Sequence, residues 1–191
     1  MATCTTKISA GLDPSCDALD KIGGVNKTIY FGNLDELTFT LNGAGYIDDV
    51  ILSASPAAFL YKFIGKTKKH NSTNELQVGE NSNTWKQAVI AKLYFFFPAD
   101  RAAIEALCTA DDLVAFVQTE SGLFEVLGYL KGIRCEAATS ANGILIQDDT
   151  SMTVTISGEE VALPKVLQLG AALPGEEDYI SQNTDALDAL T

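Results

Sequence analysis

"FEVLGYLKGIRCEAATSANGILIQDDTSMTVTISGEE", Phe124 to Glu160, decides the fold class. Its last run alternates cleanly, with Met152, Val154 and Ile156 on one side and Ser151, Thr153, Thr155 and Ser157 on the other. A period of two marks a strand with one buried face. The run closes on Gly158, Glu159 and Glu160, and nothing in it could do chemistry. A polar-faced β-ribbon without a catalytic group points to a protein that builds something.

Upstream, the same pattern recurs. "NKTIYFGN", Asn26 to Asn33, reads as a short strand closed by Gly-Asn. In "ELTFTL", Leu37, Phe39 and Leu41 alternate with Thr38 and Thr40, which predicts a half-buried strand. "NGAG" (Asn42 to Gly45) turns the chain and "YIDDVILSA" returns it, making a hairpin. "AAFLYKFIG" places Phe59, Tyr61 and Phe63 on one face, and "KTKKHNSTNE" follows as a polar, basic loop.

The most apolar run is "TWKQAVIAKLYFFFPAD". Trp85, Val89 and Leu93 would also suit a helix, but three successive phenylalanines and the stop at Pro98 favour a strand. "PADRAAIEALCTADDL" is the one helix predicted. Asp100 caps or charges its start, Ile104, Leu107 and Cys108 share a face, and its alanines carry high propensity. "LVAFVQTESGLFEVLGYLKG" then reads as two strands around a turn at Thr119 to Gly122, and the final strand spans Thr150 to Ser157.

These elements predict a mainly β fold with one flanking helix (an α+β chain), built as a β-sandwich or β-barrel with extended N- and C-terminal arms. The β domain covers residues 25–158. Residues 1–24, with Gly11, Pro14, Gly23 and Gly24 and no period, form an N-terminal arm; residues 159–191 form an acidic C-terminal arm. In that C-terminal stretch Val161, Leu163, Val166, Leu167 and Leu169 are too sparse to complete a core alone, so it is expected to lie on another surface. Arms are stable only when packed on a surface, because ordering them costs chain entropy.

Composition narrows the function. Thirteen Lys+Arg against 25 Asp+Glu give a formal charge of −12, which disfavours adhesion to nucleic acid or to an anionic membrane. No apolar run reaches the length of a membrane-spanning helix. The four cysteines, Cys4, Cys16, Cys108 and Cys135, form no C-x-x-C pair, and the first residues lack the basic and apolar regions of a secretory signal. Reduced thiols made in a cytoplasm are expected.

Candidate chemistry is thin. His70 stands on a loop among Lys66, Lys68, Lys69 and Asn71 with no carboxylate, thiol or second imidazole nearby, so it is expected to be exposed and inert. The pairs Asp48-Asp49, Asp111-Asp112 and Asp148-Asp149 read as solvated turn residues, Asp148-Asp149 being the one to test for a metal. "KIGGV" is too short for a dinucleotide fingerprint, and no G-x-S-x-G or P-loop appears. No catalytic, cofactor-binding or metal residue is assigned, and no enzyme is expected. The basic loop Lys66, Lys68, Lys69 and His70 serves either solubility or docking to an acidic patch on a neighbouring copy.

The order from Trp85 onward resembles a known family. It runs apolar strand, "PADRAAIEAL" helix, "DDLVAFVQTESGLFEVLGYLKG" and "DDTSMTVTISGEE", preceded by "GGVNKTIYFGN", a glycine pair leading into a short strand. Tail tube-like virion proteins of phages and prophages from Bacteroidetes-type hosts look like this. The resemblance implies a ring subunit of a phage tail (tube, hub or collar), commonly a hexamer, whose copies join sheets around a lumen. DNA would pass through on ejection without specific binding. It also implies neighbouring tail or portal-proximal proteins as partners, location in the virion, assembly in the host bacterial cytoplasm, and no cofactor or membrane. Apolar residues on both faces of Leu123 to Cys135 suggest a second buried surface, which an oligomer interface would provide. The alternative from residues alone is a monomeric β-barrel holding a small apolar ligand among Trp85, Tyr94 and the phenylalanines.

Overall fold

The structure is a computed structural model, described here for residues 24–54, 58–66, 69–80, 82–94, 97–141, 150–172, 174, 176 and 178–191. Its centre is an antiparallel sheet of five strands in the order β11 (Lys165–Val166), β8 (Phe124–Leu127), β7 (Leu113–Thr119), β1 (Val25–Asn33) and β4 (Tyr61–Ile64). A second sheet runs β5 (Asn71–Val78), β6 (Asn83–Tyr94), β10 (Ser151–Glu160) and β9 (Arg134–Ala141). β2 (Leu37–Leu41) and β3 (Ile47–Leu52) form a separate hairpin. The helices are α1 (Pro98–Thr109) and α2 (Tyr179–Asp188). The fold is thus mainly β with antiparallel sheets, and among the described residues the sheets do not close into a barrel.

The alternation read in the sequence places the inner core. Val154 and Ile156 of β10 and Val89, Ala91 and Leu93 of β6 pack against Ile29 and Phe31 of β1 and Ala115 and Val117 of β7. Ile104 and Leu107 of α1 join the same cluster. The helix starts as expected: Phe97 N–H donates to the Asp100 carboxylate at 3.0 Å, which supplies an acceptor at a helix end where backbone N–H groups lack partners. The apolar run is a strand from Asn83 to Tyr94, where β6 pairs with β10 on one side and β5 on the other, while Phe95 and Phe96 lie outside the described residues.

The central sheet is buried on both faces, and its second cover differs from the expectation. Val114 and Phe116 of β7, Tyr30 of β1 and Phe124 and Val126 of β8 point away from the inner core. The hairpin covers them with Ile47 and Val50, and the chain's own C-terminal segment covers them with Leu167, Ala172, Tyr179 and Leu187. The apolar residues on both faces of Leu123 to Cys135 therefore report a three-layer subunit, and no second copy is needed to bury them.

Residues 159–191 are accordingly no arm. Glu160, Leu167, Tyr179 and Leu187 are fully buried, and a second helix stands where only one was predicted. Sparse apolar residues suffice because each fills a prepared site on a long-range partner. Two further corrections concern the basic loop. Its polar continuation, Asn71 to Val78, is strand β5, and His70 is only 5% exposed. The first 23 residues, and the N-terminal arm predicted there, lie outside the described residues.

Candidate assembly surface

The second sheet ends on two eight-residue strands, β5 and β9, and among the described residues neither has a strand beyond it. Most residues of both are exposed. An open edge offers a row of unpaired N–H and C=O groups, which proteins usually blunt with proline, lysine or a bulge. Here the register between β9 and β10 shifts at Thr155/Ile156, near the start of β9. The rest, Ala137 to Ala141, is regular, uncharged and without proline. On β5, Leu76 and Val78 are 49% and 78% exposed, apolar side chains left open at the sheet's rim.

Registry defines the outer face of this sheet. Thr155 stands opposite Ile90, which stands opposite Asn71; Thr153 lies beside Lys92 and Thr139; Glu159, Lys86 and Glu75 form one row. Lys86 also pairs with Glu136 at 3.0 Å, and the neighbouring Ser157 hydroxyl together with the Lys86 ammonium holds the Glu136 carboxyl below the usual range. The face is threonine- and serine-rich with charges of both signs.

At one end of the sandwich two inward-facing polar residues tie down the turn between β8 and β9. Gln87 is fully buried, accepts from Gly128 N–H at 3.0 Å and donates to the Ala162 carbonyl at 2.9 Å. Buried Glu160 accepts from the N–H groups of Leu130 and Lys131 at 3.0 and 2.8 Å. Charge-assisted bonds of this kind are the stronger sort. The turn needs positive φ at Gly128 (75°) and Gly132 (76°), and a Cβ at Gly132 would come within 2.7 Å of Asp112 Cα.

The sequence-predicted loop residues are not gathered into one site. Lys66 lies over the Tyr94 ring at 4.4 Å and Lys69 is exposed, while Lys68 lies outside the described residues. His70 turns inward: Lys92 N–H donates to Nδ1 at 3.2 Å, and Nε2 lies 3.2 Å from the Lys27 carbonyl. Accepting at Nδ1 requires the neutral ring with its proton on Nε2. Burial holds its pKa below the ordinary value, the Lys27 carbonyl opposing in part. Gly65 makes room for it, since a Cβ there would overlap the imidazole and meet the Lys92 carbonyl at 2.7 Å.

Asp48 and Asp49 are exposed on β3, and Asp111 and Asp112 are exposed between α1 and β7. Asp148 and Asp149 lie outside the described residues. Among the described residues no three His, Cys, Asp or Glu side chains group as metal ligands, and no helix is long and apolar enough to cross a membrane. Two grooves of about 360 and 290 Å³ run between β4 and α1, sharing Tyr61, Phe63 and Ala103. Sequence reasoning missed Gln87, Glu160, Tyr179 and Asn183. Gln87 and Glu160 carried a local signal, each a polar residue in phase with core positions: Val89, Ala91 and Leu93 for Gln87, Val154 and Ile156 for Glu160.

Compared with known proteins, the chain matches no family model, no curated protein and no solved structure.

Proposed function

We propose that this protein is a non-enzymatic structural subunit of a phage tail ring (tube, hub or collar), in which β9 of one copy joins β5 of the next. The observation that carries the reading is the pair of open, exposed edges on opposite sides of one sheet. A head-to-tail joint between two different edges repeats by rotation and closes into a ring when the angle allows. The exposed Leu76 and Val78 give such a joint an apolar rim. The threonine-rich outer face would line a lumen in which phosphates find few unpaired cations. The resemblance in strand order adds the phage tail, the commonly hexameric ring, the tail or portal-proximal neighbours and the virion location.

Light scattering and negative-stain electron microscopy of the concentrated protein test this. Rings or short tubes are expected. Thr139→Lys with Gln77→Lys should leave a folded monomer, because lysines at strand edges oppose pairing without disturbing the interior. A protein that stays at its 20.4 kDa chain mass at every concentration would sink the reading. The groove between β4 and α1 favours the second reading, a small-ligand-binding monomer, at volumes near the lower end for ligand pockets of about 300–1,000 Å³. Saturable uptake of an apolar ligand by a strict monomer would select it.

A further inference from the structure

Two cysteines stand on facing elements where α1 packs on β9. Cys108 stands in the last turn of α1, on the face that carries Ile104 and Leu107 into the inner core. Cys135, the second residue of β9, lies opposite core residue Ile156 and so shares its face. Both are half-buried free thiols that pack on the same cluster, and α1 lies directly against β9. The backbones of Leu113 and Ile133, five residues after Cys108 and two before Cys135, exchange hydrogen bonds at 2.7 Å in both directions and so bring the end of α1 to the start of β9. Cys135 Sγ also approaches the Ala137 carbonyl at 3.7 Å. No part of the assembly surface described above uses this pair.

We infer that Cys108 and Cys135 form a dithiol site that a low-molecular-weight disulfide, such as oxidised glutathione, converts into an intrachain disulfide. The thiolate of Cys135 attacks one sulfur of the oxidant, forming a mixed disulfide and releasing one thiolate. Cys108 then loses its proton to solvent and attacks Cys135 Sγ, expelling the second thiolate. Two cysteine thiols are oxidised by two electrons in total, and one disulfide is reduced to two thiols. The order follows from the Cys108 thiol, which burial first and neighbouring Cys135 second push up to about 11, leaving it little thiolate for the opening attack.

The bond would fasten α1 to an edge strand and close a loop containing β7 and β8. That constrains the unfolded chain and should raise the thermal midpoint. In the ring reading, the subunit assembles in a reducing cytoplasm and later sits in an oxidising medium, where the bond would stiffen the β9 edge. This consequence rests on that reading; the bond itself does not.

The test treats the full chain, carrying Cys4→Ser and Cys16→Ser to remove competing thiols, with oxidised glutathione at neutral pH, followed by non-reducing tryptic mapping. The expected result is one cross-linked pair, the peptide of residues 102–131 joined to that of residues 135–165, with no glutathione retained. The thermal midpoint should rise by about 5–10 °C and return on reduction. Cys135→Ser should abolish the cross-link; if that variant fails to fold, the map of the parent protein decides. Glutathione adducts on Cys108 or Cys135 without a cross-link, or two unreacted thiols, would overturn the proposal. A cross-linked protein that never forms rings would sink the ring reading alone, and rings without the cross-link would sink this one alone.

Discussion

Tyr30 Oη donates to the Asp188 carboxylate at 2.6 Å, across 158 residues of sequence. Lys62 pairs with the same carboxylate at 2.7 Å, and Leu60 N–H donates to the Leu190 carbonyl at 2.9 Å. Lys62 first, and Tyr30 second, hold the Asp188 carboxyl below its usual range, while burial and the Asp188 charge raise the Tyr30 phenol. At the other end of α2, the Tyr179 hydroxyl donates to the Leu167 carbonyl and accepts from Phe124 N–H at 3.3 Å. Asn183 reaches back to Leu169 N–H at 2.9 Å. The last helix is clasped at both ends to the central sheet.

Removing residues 161–191 should therefore strip the outer core and leave an aggregating or molten chain, because Val114, Phe116 and Phe124 would lie open. Within the intact chain, Leu187→Ala should cost about 2–5 kcal/mol as a buried leucine cavity. Tyr179→Phe should cost about 1–3 kcal/mol by orphaning the Leu167 carbonyl and Phe124 N–H. Urea unfolding followed by circular dichroism measures all three. A truncated chain with wild-type stability would contradict this account of the C-terminal segment.

His70 should make stability sensitive to mild acid. Its pKa is lowered in the folded protein, so the unfolded chain binds the proton first. Stability from this group is fully present above the unfolded value of about 6.5 and is lost as pH falls from there through the folded pKa. Protonation at Nδ1 would also break its bond from Lys92 N–H. The urea midpoint should drop between pH 7.5 and 5, and His70→Gln should flatten that slope. An unchanged slope in the variant would assign the effect to other groups.

Gln87→Leu keeps the size of the side chain but leaves Gly128 N–H and the Ala162 carbonyl without their partner in a dry site. About 2–4 kcal/mol of destabilisation is expected. Glu160→Gln keeps an acceptor oxygen and removes the charge, so its smaller cost, about 1 kcal/mol, should separate hydrogen bonding from charge. Hydrogen exchange at the amides of Gly128, Leu130 and Lys131 should accelerate in the respective variants.

Duplex DNA should not bind measurably near physiological salt. A net charge of −12 repels phosphates within a Debye length of roughly 8–10 Å. Reversing Lys66, Lys68 and Lys69 to glutamate should weaken self-association before anything else, if that loop meets a neighbouring copy. Tight, salt-sensitive DNA binding that vanished with the reversal would make the loop a nucleic-acid contact instead.

The sequence alone determined what depends on local pattern. Alternation set the faces of β2 and β10, the "NGAG" turn set the β2–β3 hairpin, and the Pro98 start with its alanine-rich run set α1. It also showed that the stretch from Leu123 to Cys135 is apolar on two faces. What covers the second face was decided only by the tertiary structure. Tyr179 and Leu187 sit in a polar, acidic stretch with no strong period, and they become core residues only because Phe124, Tyr30 and Lys62 wait on strands far away in sequence. His70 follows the same rule: its neighbours in sequence are lysines, but its neighbours in space are the backbones of β1 and β6. Burial by long-range partners leaves little mark on a local window, because the hydrophobic effect acts on the area finally removed from water, whichever residues remove it.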